Sequence, residues 1–268
     1  MSRELLKNAE RIVIKVGTNS IMKDSNQVNL RQLDRIAFVI SSLMQEGKEV
    51  LLVTSGAIGV GSSLLKLEEY PKEIPDQQAL SSIGQSTLMT LYSQFFSSYG
   101  QTVGQILFTR DVIDFPVSYE NMQNALNRLL DLKILPIINE NDAVSVDEMN
   151  HYTMFGDNDT LSAVVAKTID ADLLIILSDV DGLYDDNPAS NPDARLIDHV
   201  TEITQDTHDM AAGKGSEFSK GGMTTKLNAA EIMLDYGAQM IIASSENPSC
   251  IFDILDGDSI GTLFSKGE

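Results

Sequence analysis

Short runs of apolar residues recur along this chain without polar alternation, and each ends in glycine or in a cluster of polar groups. Arg11-Ile12-Val13-Ile14-Lys15-Val16 stops at Gly17, and Val50-Leu51-Leu52-Val53 runs into Thr54-Ser55-Gly56. Val103 to Phe108, Ile134-Leu135-Pro136-Ile137-Ile138 and Leu173-Leu174-Ile175-Ile176-Leu177 follow the same pattern. A strand that is apolar at every position is covered on both faces. Between the runs the apolar residues take helical spacing: Leu30, Leu33, Ala37, Ile40 and Met44, then Gln77 to Tyr99 closed by Gly100, Asn121 to Leu130, Asp159 to Thr168, and Thr224 to Tyr236. Asn29 with Gln32 reads as a capping box, and Gly47 suits a helix end. Gln239 to Ala243 and Gly261 to Phe264 complete the strands. This alternation predicts an α/β fold, a three-layer sandwich whose mostly parallel central sheet is flanked by helices.

Two local features qualify that frame. Pro136 removes a ladder donor, so it is expected at a strand end or a bulge. Asp185 to Lys220 is polar and loop-rich, with turns at Asn187-Pro188 and Asn191-Pro192, and reads as a segment containing a flap.

A length of 268 residues suits one large α/β domain or two lobes sharing a sheet. The chain carries 39 acidic against 19 basic residues, for a formal net charge of −20. Such a field opposes polyanions, so neither nucleic acid nor an anionic membrane is an expected partner. It also means that any phosphate site must gather its few cations locally. The single cysteine, Cys250, excludes an intrachain disulfide and a multi-cysteine metal site. The N-terminus shows no signal-peptide pattern, and no run reaches the roughly 18 apolar residues of a membrane span, so a cytoplasmic location is expected.

Ligands of parallel α/β sheets bind at the carboxyl ends of strands. Lys15-Val16-Gly17-Thr18 places an ammonium beside a glycine there, which suits either an anion or a surface lysine next to a tight turn. Thr54 to Gly61 spaces its glycines like a G-x-x-G-x-G loop for an anion or substrate, against the alternative of a generic strand-to-helix turn. Asn139-Glu140-Asn141-Asp142 can clamp an ammonium group or merely form a capped turn. Gly156-Asp157-Asn158-Asp159 offers similar groups, or a simple helix cap. Ser178-Asp179-Val180-Asp181-Gly182-Leu183-Tyr184 lacks the spacing of a calcium loop and suits a nucleotide base and ribose. Lys220-Gly221-Gly222-Met223-Thr224-Thr225-Lys226 joins two lysines, hydroxyls and glycines at a helix N-terminus, where phosphate binds readily. His151, His199 and His208 form no triad or metal pattern and are expected at the surface.

Taken together and in order, these segments resemble the amino acid kinase family. The pieces Asn139-Glu140-Asn141-Asp142-Ala143-Val144 and Gly221-Gly222-Met223-Thr224-Thr225-Lys226 resemble its glutamate-phosphorylating branch in particular. The resemblance spans nearly the whole chain. It implies transfer of the γ-phosphoryl group of ATP, with Mg2+, to the side-chain carboxylate of L-glutamate, giving L-glutamyl 5-phosphate for proline biosynthesis. Lys15, Lys226 and Asp159 would be catalytic. Ser55, Gly56, Asn139, Asp142, Asp157 and Asn158 would bind glutamate. Lys15, Gly17, Ser178, Asp179, Tyr184 and the stretch Lys220, Gly221, Gly222, Met223, Thr224, Thr225 and Lys226 would bind ATP, and no protein metal ligand is implied. A single kinase domain over 1–268 is expected, with roughly 1–165 on the substrate side and roughly 166–268 on the nucleotide side. The RNA-binding PUA domain that many members carry is not expected after Gly261-Thr262-Leu263-Phe264. Glu148 to Phe155, which includes His151, is longer than the usual loop and lacks a lysine that some members place there.

The resemblance also implies homo-oligomers, proline as a feedback inhibitor, and coupling to a glutamyl phosphate reductase. Sibling kinases of N-acetylglutamate, aspartate, carbamate or UMP are the alternatives, as is a non-catalytic nucleotide or amino-acid sensor. Asp142 favours a free α-ammonium over an acetylated amine, and the presence of both Lys15 and Lys226 argues against a sensor.

Overall fold

The computed structural model describes residues 2–23, 25–67, 69–109, 111–144, 157–188, 190–212 and 219–267. A short 3-10 turn, Ser2–Asn8, precedes β1 (Arg11–Val16) and α1 (Thr18–Ile21). Next come α2 (Leu30–Gln45), β2 (Glu49–Thr54), α3 (Ala57–Leu64), α4 (Ile74–Ser98) and β3 (Val103–Phe108). They are followed by α5 (Asp111–Asp114), α6 (Pro116–Asp131), β4 (Leu135–Glu140), α7 (Asn158–Thr168) and β5 (Leu173–Ser178). The remainder is β6 (His199–Val200), α8 (Gln205–Ala212), α9 (Ser219–Tyr236), β7 (Gln239–Ser244), α10 (Cys250–Leu255) and β8 (Thr262–Phe264).

The chain divides into two compact units, one made of Met1–Lys15 with Asp159–Glu268 and the other of Val16–Asn158. In the second unit the strands stand in the order β3, β4, β2, and both pairings are parallel. In the first unit the order is β1, β5, β7, β8, β6. There β5 pairs with β7 and β6 with β8 in parallel, while β7 and β8 run antiparallel. This is the expected mostly parallel α/β fold. Strands β1 and β2 are buried at all but their first residue and β5 at every residue, because helices cover both faces, while β3 is largely half-buried.

Pro136 is the second residue of β4. It stands opposite Gly104 of β3, and the pairing with β2 begins one residue later at Leu52 and Ile137. The missing donor therefore falls at the strand's start. The Asn29 carboxamide caps α2 by accepting from Gln32 N–H at 3.3 Å. No described helix is long and apolar enough to cross a membrane.

Two expectations are corrected. Thr54 to Gly61 is not an extended glycine loop, since α3 begins at Ala57 and takes in Gly59 and Gly61. A Cβ on Gly61 would stand 2.1 Å from the Leu80 carbonyl oxygen, and one on Gly84 would stand 1.8 Å from that of Ala57. These glycines let α3 and α4 touch backbone to backbone. The second correction is at α9, which starts at Ser219 rather than at Thr224 and so takes the glycine pair into its first turn. The stretch read as loop-rich contains β6 and α8, and an isolated bridge joins its Leu196 to Tyr184 just before it.

Candidate active site

The start of β1 is fixed by Asp172, whose carboxylate accepts from the backbone N–H groups of Glu10 and Arg11, both at 2.8 Å. Lys15 lies near the far end of that strand, in the first unit. Its ammonium stands 2.5 Å from Asp159 Oδ1. Asp159 occupies the first turn of α7, where a carboxylate complements the helix dipole. Its other oxygen, Oδ2, accepts from Lys226 Nζ at 3.0 Å and from Thr225 Oγ1 at 2.9 Å. Lys15, Asp159 and Lys226 are only 8%, 3% and 7% exposed.

Two ammonium groups and one carboxylate leave a buried surplus of one positive charge. Burial alone would push the Asp159 carboxyl up, but the adjacent ammonium groups of Lys15 and Lys226 outweigh it and hold the pKa below the usual carboxylate value. The carboxylate is therefore ionised at neutral pH. The surplus charge suits an anion, and against the formal net charge of −20 it is a local exception.

Lys226 reaches Asp159 from the second turn of α9. Its ammonium also donates to the Gly222 carbonyl at 3.0 Å, as does the Thr225 hydroxyl at 3.0 Å. A Cβ on Gly222 would meet nothing within 4 Å, so this glycine keeps open space beside the helix. Met223 and Thr224 are half-buried on the same helix. Lys220 and Gly221 belong to its first turn, and their side chains lie outside the described residues. Gly17 has φ −85°, ordinary extended backbone, and caps the short α1.

At the end of β5 the Ser178 hydroxyl donates to Asp179 Oδ1 at 3.0 Å, and the Tyr184 hydroxyl donates to Asp181 Oδ2 at 3.0 Å. That second bond raises the pKa of the Tyr184 phenol. The turn between them is tied down by Thr262, whose hydroxyl accepts from Leu183 N–H at 2.8 Å. A Cβ on Gly182 would stand 2.5 Å from the same hydroxyl oxygen, so the close approach requires glycine.

The second unit gathers another set. Gly56 turns the chain from β2 into α3 with φ +96°, the left-handed region that favours glycine. Ser55 just before it accepts from Asn158 Nδ2 at 2.8 Å. The same Nδ2 stands 3.3 Å from Asn139 Oδ1, and Asn139 Nδ2 donates to Gln85 Oε1 at 2.8 Å. Asp142 accepts from Ser81 Oγ at 3.2 Å. Ser55, Asn139 and Asn158 are thus one connected cluster, with Asp142 attached to α4 through Ser81. Asp157 is half-buried, immediately before Asn158.

Residues 10–244 match the profile of the amino acid kinase family. The chain belongs to the amino acid kinase family. Among curated relatives, the glutamate 5-kinase of Listeria monocytogenes serovar 1/2a is 54% identical over 98% of this chain and 96% of its own length. The glutamate 5-kinase of Lactococcus lactis is 53% identical over 99% and 98%, and that of Streptococcus agalactiae 55% over 96% and 97%. Solved structures share the fold at low identity. Carbamate kinase from Giardia lamblia bound to AMP-PNP aligns with a TM-score of 0.67 at 19% identity, over 97% of this chain and 100% of that one. UMP kinase from Bacillus anthracis gives 0.66 at 16%, over 97% of both chains.

Within this family member, Gln85 and Ser81 escaped the sequence reading. They lie inside α4, away from any strand end, so position offers no signal. The only hint is Gly84 beside them in a helix interior. Gly156 and the stretch Glu148 to Phe155, with His151, lie outside the described residues. His199 and His208 are half-buried rather than fully at the surface. Their Nε2 atoms lie 2.9 Å from Ser265 Oγ and 2.9 Å from Glu231 Oε1.

Proposed function

We propose that this chain transfers the γ-phosphoryl group of ATP to the side-chain carboxylate of L-glutamate, yielding ADP and L-glutamyl 5-phosphate, the opening step of proline biosynthesis. The observation that carries the transfer is the buried Lys15–Asp159–Lys226 triad with its surplus positive charge. What supports glutamate as acceptor is identity of 52–55% to several relatives named glutamate 5-kinase, along almost the full chain.

The chemistry asks little of the protein beyond position and charge. A glutamate side chain has a pKa of about 4.3 and is already a nucleophile at neutral pH, so no general base is needed. In a loose phosphoryl-transfer transition state, charge spreads over the transferred oxygens, and alignment with neutralisation supplies the rate. In this reading Lys15 and Lys226 face those oxygens and Asp159 keeps both ammonium groups in place. Ser55, Gly56, Asn139, Asp142, Asp157 and Asn158 hold the amino acid. Gly17, Ser178, Asp179, Tyr184 and Lys220 to Lys226 hold the nucleotide. Mg2+ would accompany the nucleotide, and its charge would neutralise the phosphates.

The decisive test is glutamate-dependent ADP release together with trapping of the acyl phosphate as a hydroxamate. N-acetylglutamate, aspartate, carbamate and UMP serve as competing acceptors. Hydroxamate with glutamate alone is the expected result, and turnover only with another acceptor would overturn the assignment. The same assay run with proline tests feedback inhibition. Light scattering tests the homo-oligomer, and transfer to added glutamyl phosphate reductase tests coupling. Cytoplasmic localisation belongs to the same reading.

A further inference from the structure

We infer that Gln85 and Ser81, one turn apart on α4, are positioning residues that set the polarity of the substrate-side cluster and so select a free ammonium group. The inference rests on the proposed binding of glutamate by Ser55, Asn139, Asp142 and Asn158.

The argument follows the amide groups one by one. Glu140 N–H, a donor that cannot reverse, points at Asn139 Oδ1 at 2.9 Å. The carboxamide of Asn139 is thereby fixed with its Nδ2 directed at Gln85, where it finds Oε1 at 2.8 Å. Asn139 Oδ1 also faces Asn158 Nδ2 at 3.3 Å, and that same nitrogen donates to Ser55 Oγ at 2.8 Å. The Asn158 donor side is therefore spent. Its Oδ1 is buried and has no hydrogen-bond partner among the described residues. This amide relay thus leaves an open acceptor at its Asn158 end, the complement of an N–H donor, while at its other end Gln85 Nε2 is a buried donor with no partner among the described residues.

Ser81 supplies the second half, because its hydroxyl donates to Asp142 Oδ2 at 3.2 Å and orients a carboxylate of the same sign preference. Gln85 and Asn139 are only 8% and 2% exposed, and Ser81 is 3% exposed, so water cannot readily replace any of these bonds. The backbone contact of Gly84 against Ala57 holds this face of α4 next to the turn that carries Ser55. Without the Gln85 acceptor, Asn139 Nδ2 is a buried orphan. Rotating the carboxamide to relieve it would set Nδ2 against Glu140 N–H, so the cluster loses either a hydrogen bond or the acceptor orientation that an ammonium needs.

Gln85→Leu removes the acceptor and Gln85→Glu retains it. Gln85→Leu is expected to raise the glutamate KM by about 10- to 100-fold, the effect of one buried unsatisfied polar group. The ATP KM and kcat are expected to stay near wild type, and preference for glutamate over N-acetylglutamate to shrink. Gln85→Glu restores most of the loss. An unchanged glutamate KM in Gln85→Leu overturns the inference. So does an equal fall of kcat, both affinities and Tm in both variants, which marks a packing role. If the wild-type chain does not phosphorylate glutamate, the functional reading fails and the relay is judged by NMR instead. The Asn139 side-chain amide is expected to exchange slowly in the wild type and fast in Gln85→Leu, and equal exchange in both overturns the relay.

Discussion

Lys226 reaches back along its own helix to donate to the Gly222 carbonyl while its ammonium sits 3.0 Å from Asp159 Oδ2. Among the described residues the lysine is fixed from two directions, which uses two of its three donors. Lys226→Ala, and likewise Lys15→Ala, is expected to lose about 100- to 1,000-fold in kcat, by comparison with other preorganised charge-stabilising groups. Circular dichroism is expected to show a retained fold. Near-normal turnover in either variant would sink the roles given to both lysines.

Asp159→Asn leaves two buried ammonium groups facing one another without their counter-ion. Breaking a buried ion pair from one side costs about 3–5 kcal/mol, so Tm is expected to fall clearly. Added phosphate or nucleotide should then raise Tm more in the variant than in the wild type. Equal Tm values for the two proteins without ligand would show that the triad carries no stabilising charge balance.

Stability should also report the depressed Asp159 carboxyl. Its folded-state pKa lies below the unfolded value of about 3.9. The contribution is therefore complete above that pH and is lost as pH falls through the folded value. Urea unfolding of the wild type and Asp159→Asn, followed from pH 6 downward, is expected to show a stability gap that is constant at first and closes below about pH 4. A gap independent of pH down to acid unfolding would contradict the assignment.

Gly84→Ala tests the helix seam. The added Cβ would stand 1.8 Å from the Ala57 carbonyl oxygen, so the backbones must part. Overpacking of this kind costs about 1–3 kcal/mol or more. Gly47→Ala is the control, since its φ is +95° but nothing lies within 4 Å. It is expected to cost about 1 kcal/mol, the strain of a left-handed alanine alone. Thermal melts that rank the two variants the other way would show that α3 and α4 are free to separate.

Most of the framework was legible because it is local. The apolar runs announced their own burial, and the cluster from Lys220 to Lys226 stood out against an acidic chain, whereas Lys15 was equally open to a surface reading and the role of Asp159 entered only through the family resemblance. Glycine was the ambiguous letter. At Gly56 it serves a turn, as its left-handed φ requires, but at Gly61 and Gly84 it serves a contact between helices far apart in sequence. A residue that acts through its absent side chain gives no sign of which partner needs the space. The same holds for Gln85, a polar residue inside a helix whose meaning depends on Asn139, which lies 54 positions away. The start of α9 was misplaced because a glycine pair disfavours helix, and the side-chain bonds of Thr225 and Lys226 to the Gly222 carbonyl tie that turn down nonetheless.

The seam between α3 and α4 bears on how the acceptor could be changed. Where carbonyl oxygens lie against bare Cα positions, mutational libraries have no side chains to exchange, and every substitution at 61 or 84 forces the backbone to move. New acceptor preferences are better sought at Asp142 and at Ser81 and Gln85 above it, leaving the glycines as an untouched hinge pin for every variant tried.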